Sequence, residues 1–167
     1  DHAELTSTVD LFAHAILLTD PNAMGYVNLK DFDKNPAYAK LLDKYVYELV
    51  LQLMRDDSKA SDILKEQRRD LIETVLGQLD GMILGTLKSD EQGDLALHEQ
   101  GNGQATKVQN LSMGMKSLLL LRTMLGKGIL SEKDVLILDE PENHLHPEWQ
   151  VFYARALMQI QKAYQLT

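Results

Sequence analysis

The stretch Val135-Leu136-Ile137-Leu138-Asp139-Glu140-Pro141 constrains this chain more than any other. Four consecutive aliphatic residues with no polar alternation read as a strand that is apolar on both faces, the habit of parallel sheets. In such sheets ligands bind beyond the carboxyl ends of the strands, which is where Asp139 and Glu140 fall. Pro141 has no N–H and ends the ladder. Two adjacent acids at the tip of a buried strand suit a Mg²⁺-nucleotide site, one holding the metal or its waters and the next orienting an attacking water. The same residues also fit an ordinary strand end with solvated acids, and the rest of the chain has to decide between the two.

The chain has 167 residues, within the range of one domain able to bury a core. It contains no cysteine, which excludes a disulfide framework and a thiolate zinc site. No apolar run approaches the roughly 20 residues that span a bilayer. Asp1-His2-Ala3-Glu4-Leu5 lacks the basic and apolar regions of a signal peptide, so no membrane association and a cytoplasmic location are expected. The net charge of −8 argues against a stand-alone nucleic-acid clamp. The densest basic cluster, Lys65 with Arg68 and Arg69, is interleaved with Glu66 and Asp70 and reads as a solvated helix face. The chain opens without methionine and closes after a helix with no terminal cap, so it is expected to be part of something longer.

Taken in order, Val9 to Leu18 has apolar spacing that predicts a short helix, ended by the turn signal Asp20-Pro21-Asn22. His14 within it has no partner nearby and reads as packed or surface-exposed. From Asn35-Pro36 an apolar stripe through Tyr38, Leu41, Leu42, Tyr45, Val46, Leu49, Val50 and Leu53 follows helical spacing. A second stripe runs from Ile63 to Ile83 and closes at Gly85. Joined by a polar turn, the two make an antiparallel helical hairpin. Thr86–Lys88, Asp94–His98 and Thr106–Val108 then read as β-hairpin strands around Gln92-Gly93 and Gly101-Asn102-Gly103. Gly101 to Val108 is not a phosphate-binding loop, because Thr106 and Val108 stand where that pattern needs Gly and Ser or Thr. Ser112 is a good N-cap for a helix reaching about Gly126, and its open first turn favours an anion.

A Leu-Ser-x-Gly helix start followed by an aliphatic strand ending Asp-Glu-Pro resembles the ABC-type ATPases. More narrowly, the chain resembles the branch that includes the chromosome-maintenance and recombination-repair ATPases and the OLD-like (overcoming-lysogenization-defect) bacterial proteins. Asn110 to Ser117 and the tail Asp139-Glu140-Pro141-Glu142-Asn143-His144-Leu145-His146-Pro147-Glu148-Trp149-Gln150 resemble the OLD-like proteins. The resemblance is specific from Asn110 to about Gln150 and weak before it. It implies an α/β fold, a partial P-loop NTPase lobe at about 86–167 carrying an inserted antiparallel helical hairpin at about 36–85 and a small β-hairpin, the whole of 1–167 being a single fragment of one ATPase domain.

The resemblance also implies roles. Asp139 would support Mg²⁺ and Glu140 would polarise the hydrolytic water. Ser112 and Gly114, with Lys116 in the same turn, would contact ATP bound to a second copy across a homodimer interface. The segment from Glu142 through His144 to His146 would couple the two sites. Met115 and His146 stand where transporter relatives carry a polar residue and an aspartate, which argues against a transporter motor. The phosphate-binding loop, glutamine loop and switch histidine of the family have no match in this chain, so on its own it is expected to bind ATP weakly or not at all. The helical arm is expected to contact DNA or a partner protein. Two rival readings stand beside this one: a metal-dependent hydrolase built on His144 and His146 with Glu142 or Glu148, and a non-catalytic dimerisation module.

Overall fold

The computed structural model describes residues 15–18, 21, 22, 49–51, 53, 54, 66–89, 94–101 and 103–167. Among them the architecture is mixed α/β, with a parallel strand pair, a small antiparallel sheet and helices packed together. The acidic stretch forms strand β5 (Val135–Leu138), ending one residue before Asp139 as the sequence predicts. Its parallel partner is β1 (Ala15–Leu18), in the register Ala15 to Val135 through Leu18 to Leu138. On the opposite edge Thr167 N–H donates to the Asp134 carbonyl at 3.1 Å, and Leu136 N–H donates to the Thr167 carbonyl at 3.4 Å. That alternation is the ladder of a parallel neighbour, so β5 has hydrogen-bonded company on both edges at its start.

Strand β1 corrects the sequence reading of a helix through Leu18. Ala-Ile-Leu-Leu is too short for its apolar spacing to separate helix from strand, and pairing with the distant β5 decides it. His14 and the start of that segment lie outside the described residues, as does most of the helix expected from Asn35. Residues 49–51, 53 and 54 of that helix are helical, with Leu49, Val50 and Leu53 in the core. A second correction concerns β5, which is not buried on both faces. Leu136 and Leu138 pack against the core, whereas Ile137, on the alternate face, is 47% exposed.

The second arm of the expected hairpin is α1 (Glu66–Ile83), burying Ile72, Val75, Leu79 and Ile83 at intervals of three and four. It ends earlier than Gly85: Leu84 takes a left-handed φ of +49°, and Gly85 already belongs to β2 (Gly85–Ser89). There a Cβ would stand 2.8 Å from the His98 carbonyl oxygen and from Leu97 Cδ1, so glycine serves close strand approach and not a helix cap. The expected β-hairpin is a three-stranded antiparallel sheet in the order β2, β3 (Leu95–Glu99), β4 (Ala105–Lys107). A short 3₁₀ turn over Val108–Asn110 leads out of it.

Helix α2 (Met113–Gly126) is the middle of the core. Leu118, Leu119, Leu120 and Leu121 are all buried, which four consecutive helical residues can be only when neighbours surround the helix. Helix α3 (Pro147–Tyr164) starts with proline at a position whose N–H would be unpaired anyway. Tyr153, Ala156, Ile160 and Ala163 form its buried stripe, with Trp149, Phe152 and Leu157 at its margin. Helix α1 packs against both α2 and α3. Ion pairs Arg122–Asp80 at 2.8 Å and Arg68–Glu132 at 2.9 Å run along the α1 surface and add little in solvent.

Candidate functional site

Where β5 stops, the chain must leave the sheet and return as α3 within eight residues, 139 to 146. It does so through two overlapping turns: Asn143 N–H donates to the Glu140 carbonyl at 3.1 Å and Leu145 N–H to the Glu142 carbonyl at 3.0 Å. The first turn begins at Glu140, whose φ is +45°. A left-handed conformation in a non-glycine residue costs about 1–3 kcal/mol and persists only where its surroundings enforce it. Here the enforcement is visible. Asn143 Nδ2 donates to Glu140 Oε2, tying the two side chains as well as the two backbones. Gln150 Nε2, from the first turn of α3, donates to the Glu142 and Leu145 carbonyls, each at 3.2 Å. Leu145 is buried in the core and anchors the loop from beneath.

The start of α2 meets this loop. Ser112 Oγ accepts from the Met115 N–H at 3.2 Å, the expected N-cap. Two residues on, a Cβ placed on Gly114 would overlap the His144 carbonyl oxygen and lie 3.3 Å from Leu145 Cδ2. Glycine weakens a helix by roughly 1 kcal/mol relative to alanine, so its use here reflects the space, not the helix. The two sequence motifs therefore touch, main chain against main chain.

Between them lies a cleft of about 170 Å³. Met113, Ser117 and Leu120 of α2 form one wall, and Tyr153 of α3 with Pro21 closes the sides. Leu138, Asp139, Glu140, Pro141, Asn143 and His144 form the other wall. Of the residues anticipated from sequence, Asp139, Glu140 and His144 line this cleft. Ser112 stands exposed at the helix start, and Gly114 is buried beneath the loop. Lys116 is turned inward: it is 6% exposed, and its Nζ donates to Asn22 Oδ1 at 2.9 Å, fastening α2 to the segment after β1. His146 occupies the N-cap position of α3 without a side-chain capping bond. Burial pushes the Tyr153 hydroxyl up to about 12, leaving a neutral group beside the two acids. Asn143, Gln150 and Tyr153 were not singled out as site residues from sequence. Their roles depend on a turn and a helix contact that no periodicity reveals.

The donor set has a definite character. Asp139 and Glu140 are both exposed, and a phosphate ester brought to them would meet two negative charges. Only a cation makes such a pairing favourable. One strand-end carboxylate with oxygen-only chemistry and open access suits Mg²⁺, which keeps several waters and takes few protein ligands. A zinc-type site is not assembled: among the described residues, no group of three or more His, Asp or Glu side chains is placed to hold a metal ion. The rival metal-hydrolase reading on His144 and His146 therefore lacks its geometry. No helix among the described residues is long and apolar enough to cross a membrane.

Comparison with known proteins identifies the family of the chain. The model of the family described as "AAA domain, putative AbiEii toxin, Type IV TA system" matches residues 4–165. The match thus runs through the helical and antiparallel segments as well as the two motifs. No curated protein and no solved structure matches the chain.

Proposed function

This chain belongs to the AAA-domain family of P-loop, nucleotide-binding ATPases, and from that premise we propose that it forms the signature and acidic-strand half of an ABC-type ATP-hydrolysing site. The observation that carries the reading is the contact of Gly114 with the His144 carbonyl, which joins the Ser112-capped helix start to the loop bearing Glu140. A chain with two unrelated motifs would have no reason to pack them main chain to main chain.

In this reading Glu140 orients and polarises a water for attack on the γ-phosphorus of ATP. The bond to the β–γ bridging oxygen breaks, ADP leaves with that oxygen and its electron pair, and the water's oxygen stays on the phosphate. Asp139 would hold Mg²⁺ or its waters, and the bound ion would supply positive charge to the β- and γ-phosphates. Ser112, exposed at the start of α2, would meet ATP carried by a second copy, so the working unit is a nucleotide-bridged homodimer. Lys116 acts from inside by fixing that turn through Asn22. His144 and His146 belong to the loop that transmits between the two sites. No Gly-x-x-x-x-Gly-Lys-Ser/Thr occurs in the sequence, so these residues are assigned the signature and acidic-strand roles alone. The OLD-like sequence from Asp139 to Gln150 supports that branch, and the chain is one unit with the helical arm as an insertion.

The test is ATP turnover by the full-length protein beside its Glu140→Gln variant. Turnover is expected to fall by at least about 100-fold, the usual weight of a positioned proton acceptor, while ATP-dependent dimers accumulate. A Glu140→Gln protein as fast as its parent would take Glu140 out of the chemistry, and a parent without turnover would favour a non-catalytic dimerisation module.

A further inference from the structure

We propose that Asn143 is a positioning residue for Glu140, holding one carboxylate oxygen so that the other is presented to the attacking water. The proposal rests on the ATPase reading above and deepens it.

Four observations converge on this pair. Asn143 Nδ2 donates to Glu140 Oε2, and Asn143 N–H donates to the Glu140 carbonyl at 3.1 Å, so side chain and main chain are linked in the same sense. Glu140 holds a left-handed φ of +45°, which aims its side chain away from the direction a continuing strand would give it. Asn143 is itself held, because Gln150 bridges the carbonyls of Glu142 and Leu145 on either side of it. Both residues line the same cleft, opposite Ser117 and Tyr153.

The chemistry explains why an amide suits this position. An ionised carboxylate only accepts, so the NH₂ of Asn143 must face it, and an amide cannot take up the proton it donates. One oxygen of Glu140 is thereby occupied without quenching its charge, and the second keeps its lone pairs for water. An exposed glutamate otherwise samples several rotamers, and displacement of a reacting group by about 1 Å is enough to cost roughly 100-fold in rate. A hydrogen bond three residues along the chain removes that freedom before substrate arrives.

The experiment uses the full-length protein, with steady-state ATP turnover for the parent, Asn143→Asp, Asn143→Ala and Asn143→Gln, each also combined with Glu140→Gln. Asn143→Asp keeps the shape but replaces the donor by a second carboxylate. Its kcat is expected to fall about 10- to 100-fold with KM within about twofold, because the group acts on the reacting water and not on ATP binding. Asn143→Ala should lose about 10-fold, and Asn143→Gln, which keeps a donor, should recover part of that. In the Glu140→Gln background none of the three should slow the residual rate further, since the group they act through is already gone.

The proposal is overturned if Asn143→Asp and Asn143→Ala keep kcat within twofold of the parent while Glu140→Gln abolishes turnover; the ATPase reading then survives alone. It is also overturned if the Asn143 losses add in full to that of Glu140→Gln, which would mark a merely structural turn. If Glu140→Gln itself turns over like the parent, both readings fall together.

Discussion

Tyr153 is 4% exposed on the wall of the acidic cleft, and the physics of that burial gives a prediction of its own. Burial disfavours the phenolate and raises the hydroxyl from 10.0 to about 12. In the unfolded chain the group loses its proton near 10, so between about pH 10 and 12 the folded state binds more protons than the unfolded state. Stability is therefore unaffected by this group below pH 10 and is lost as pH rises toward 12, by up to roughly 2–3 kcal/mol. Urea midpoints taken from pH 9 to 12 should fall less steeply in Tyr153→Phe than in the parent; equal slopes would mean the hydroxyl is solvated. Tyr164 is also raised by burial, and its hydroxyl has no hydrogen-bond partner among the described residues, so a Tyr164→Phe control separates the two contributions.

Among the elements, the first turn of α2 makes the sharpest test. Gly114→Ala would raise the helicity of α2 in isolation by its propensity, yet in the protein the added methyl meets the His144 carbonyl. Overpacking against backbone is expected to cost about 1–3 kcal/mol, read as a lowered denaturant midpoint at unchanged slope. A midpoint that rises instead would show that the loop yields. This turn and β5 were legible in the sequence for local reasons: Ser112 is a capping residue before an unbroken leucine run, and Val135–Leu138 is followed by a proline three residues on. The three antiparallel strands were legible through their turns, for Gly101 and Gly103 take φ of +96° and +66° there. Strand β1 was not legible, because Ala15–Leu18 acquires its identity from a partner 120 positions away. Nor was the tie from Asn143 to Glu140 or from Gln150 to the loop. Each needs a turn to form first, and polar residues in that stretch look alike until it does.

At the scale of the whole molecule, α2 is the most enclosed helix among the described residues, with Leu118, Leu121 and Met124 wholly enclosed and Lys116 pinned to Asn22. Its amides from Leu118 to Leu125 are expected to exchange with solvent only through global unfolding, whereas those of 140–144 exchange through local opening of the loop. Amide exchange by mass spectrometry checks the ranking; protection of the loop equal to that of α2 would contradict it. The covering also determines how the sequence can drift. What meets Gly114 is a main-chain carbonyl, which every residue type supplies, so position 144 can exchange its side chain without touching the contact. Position 114 has no such latitude, since any β-carbon fills the space. The two sides of a single contact are thus constrained in different ways, one through its backbone alone and the other through the lack of a side chain.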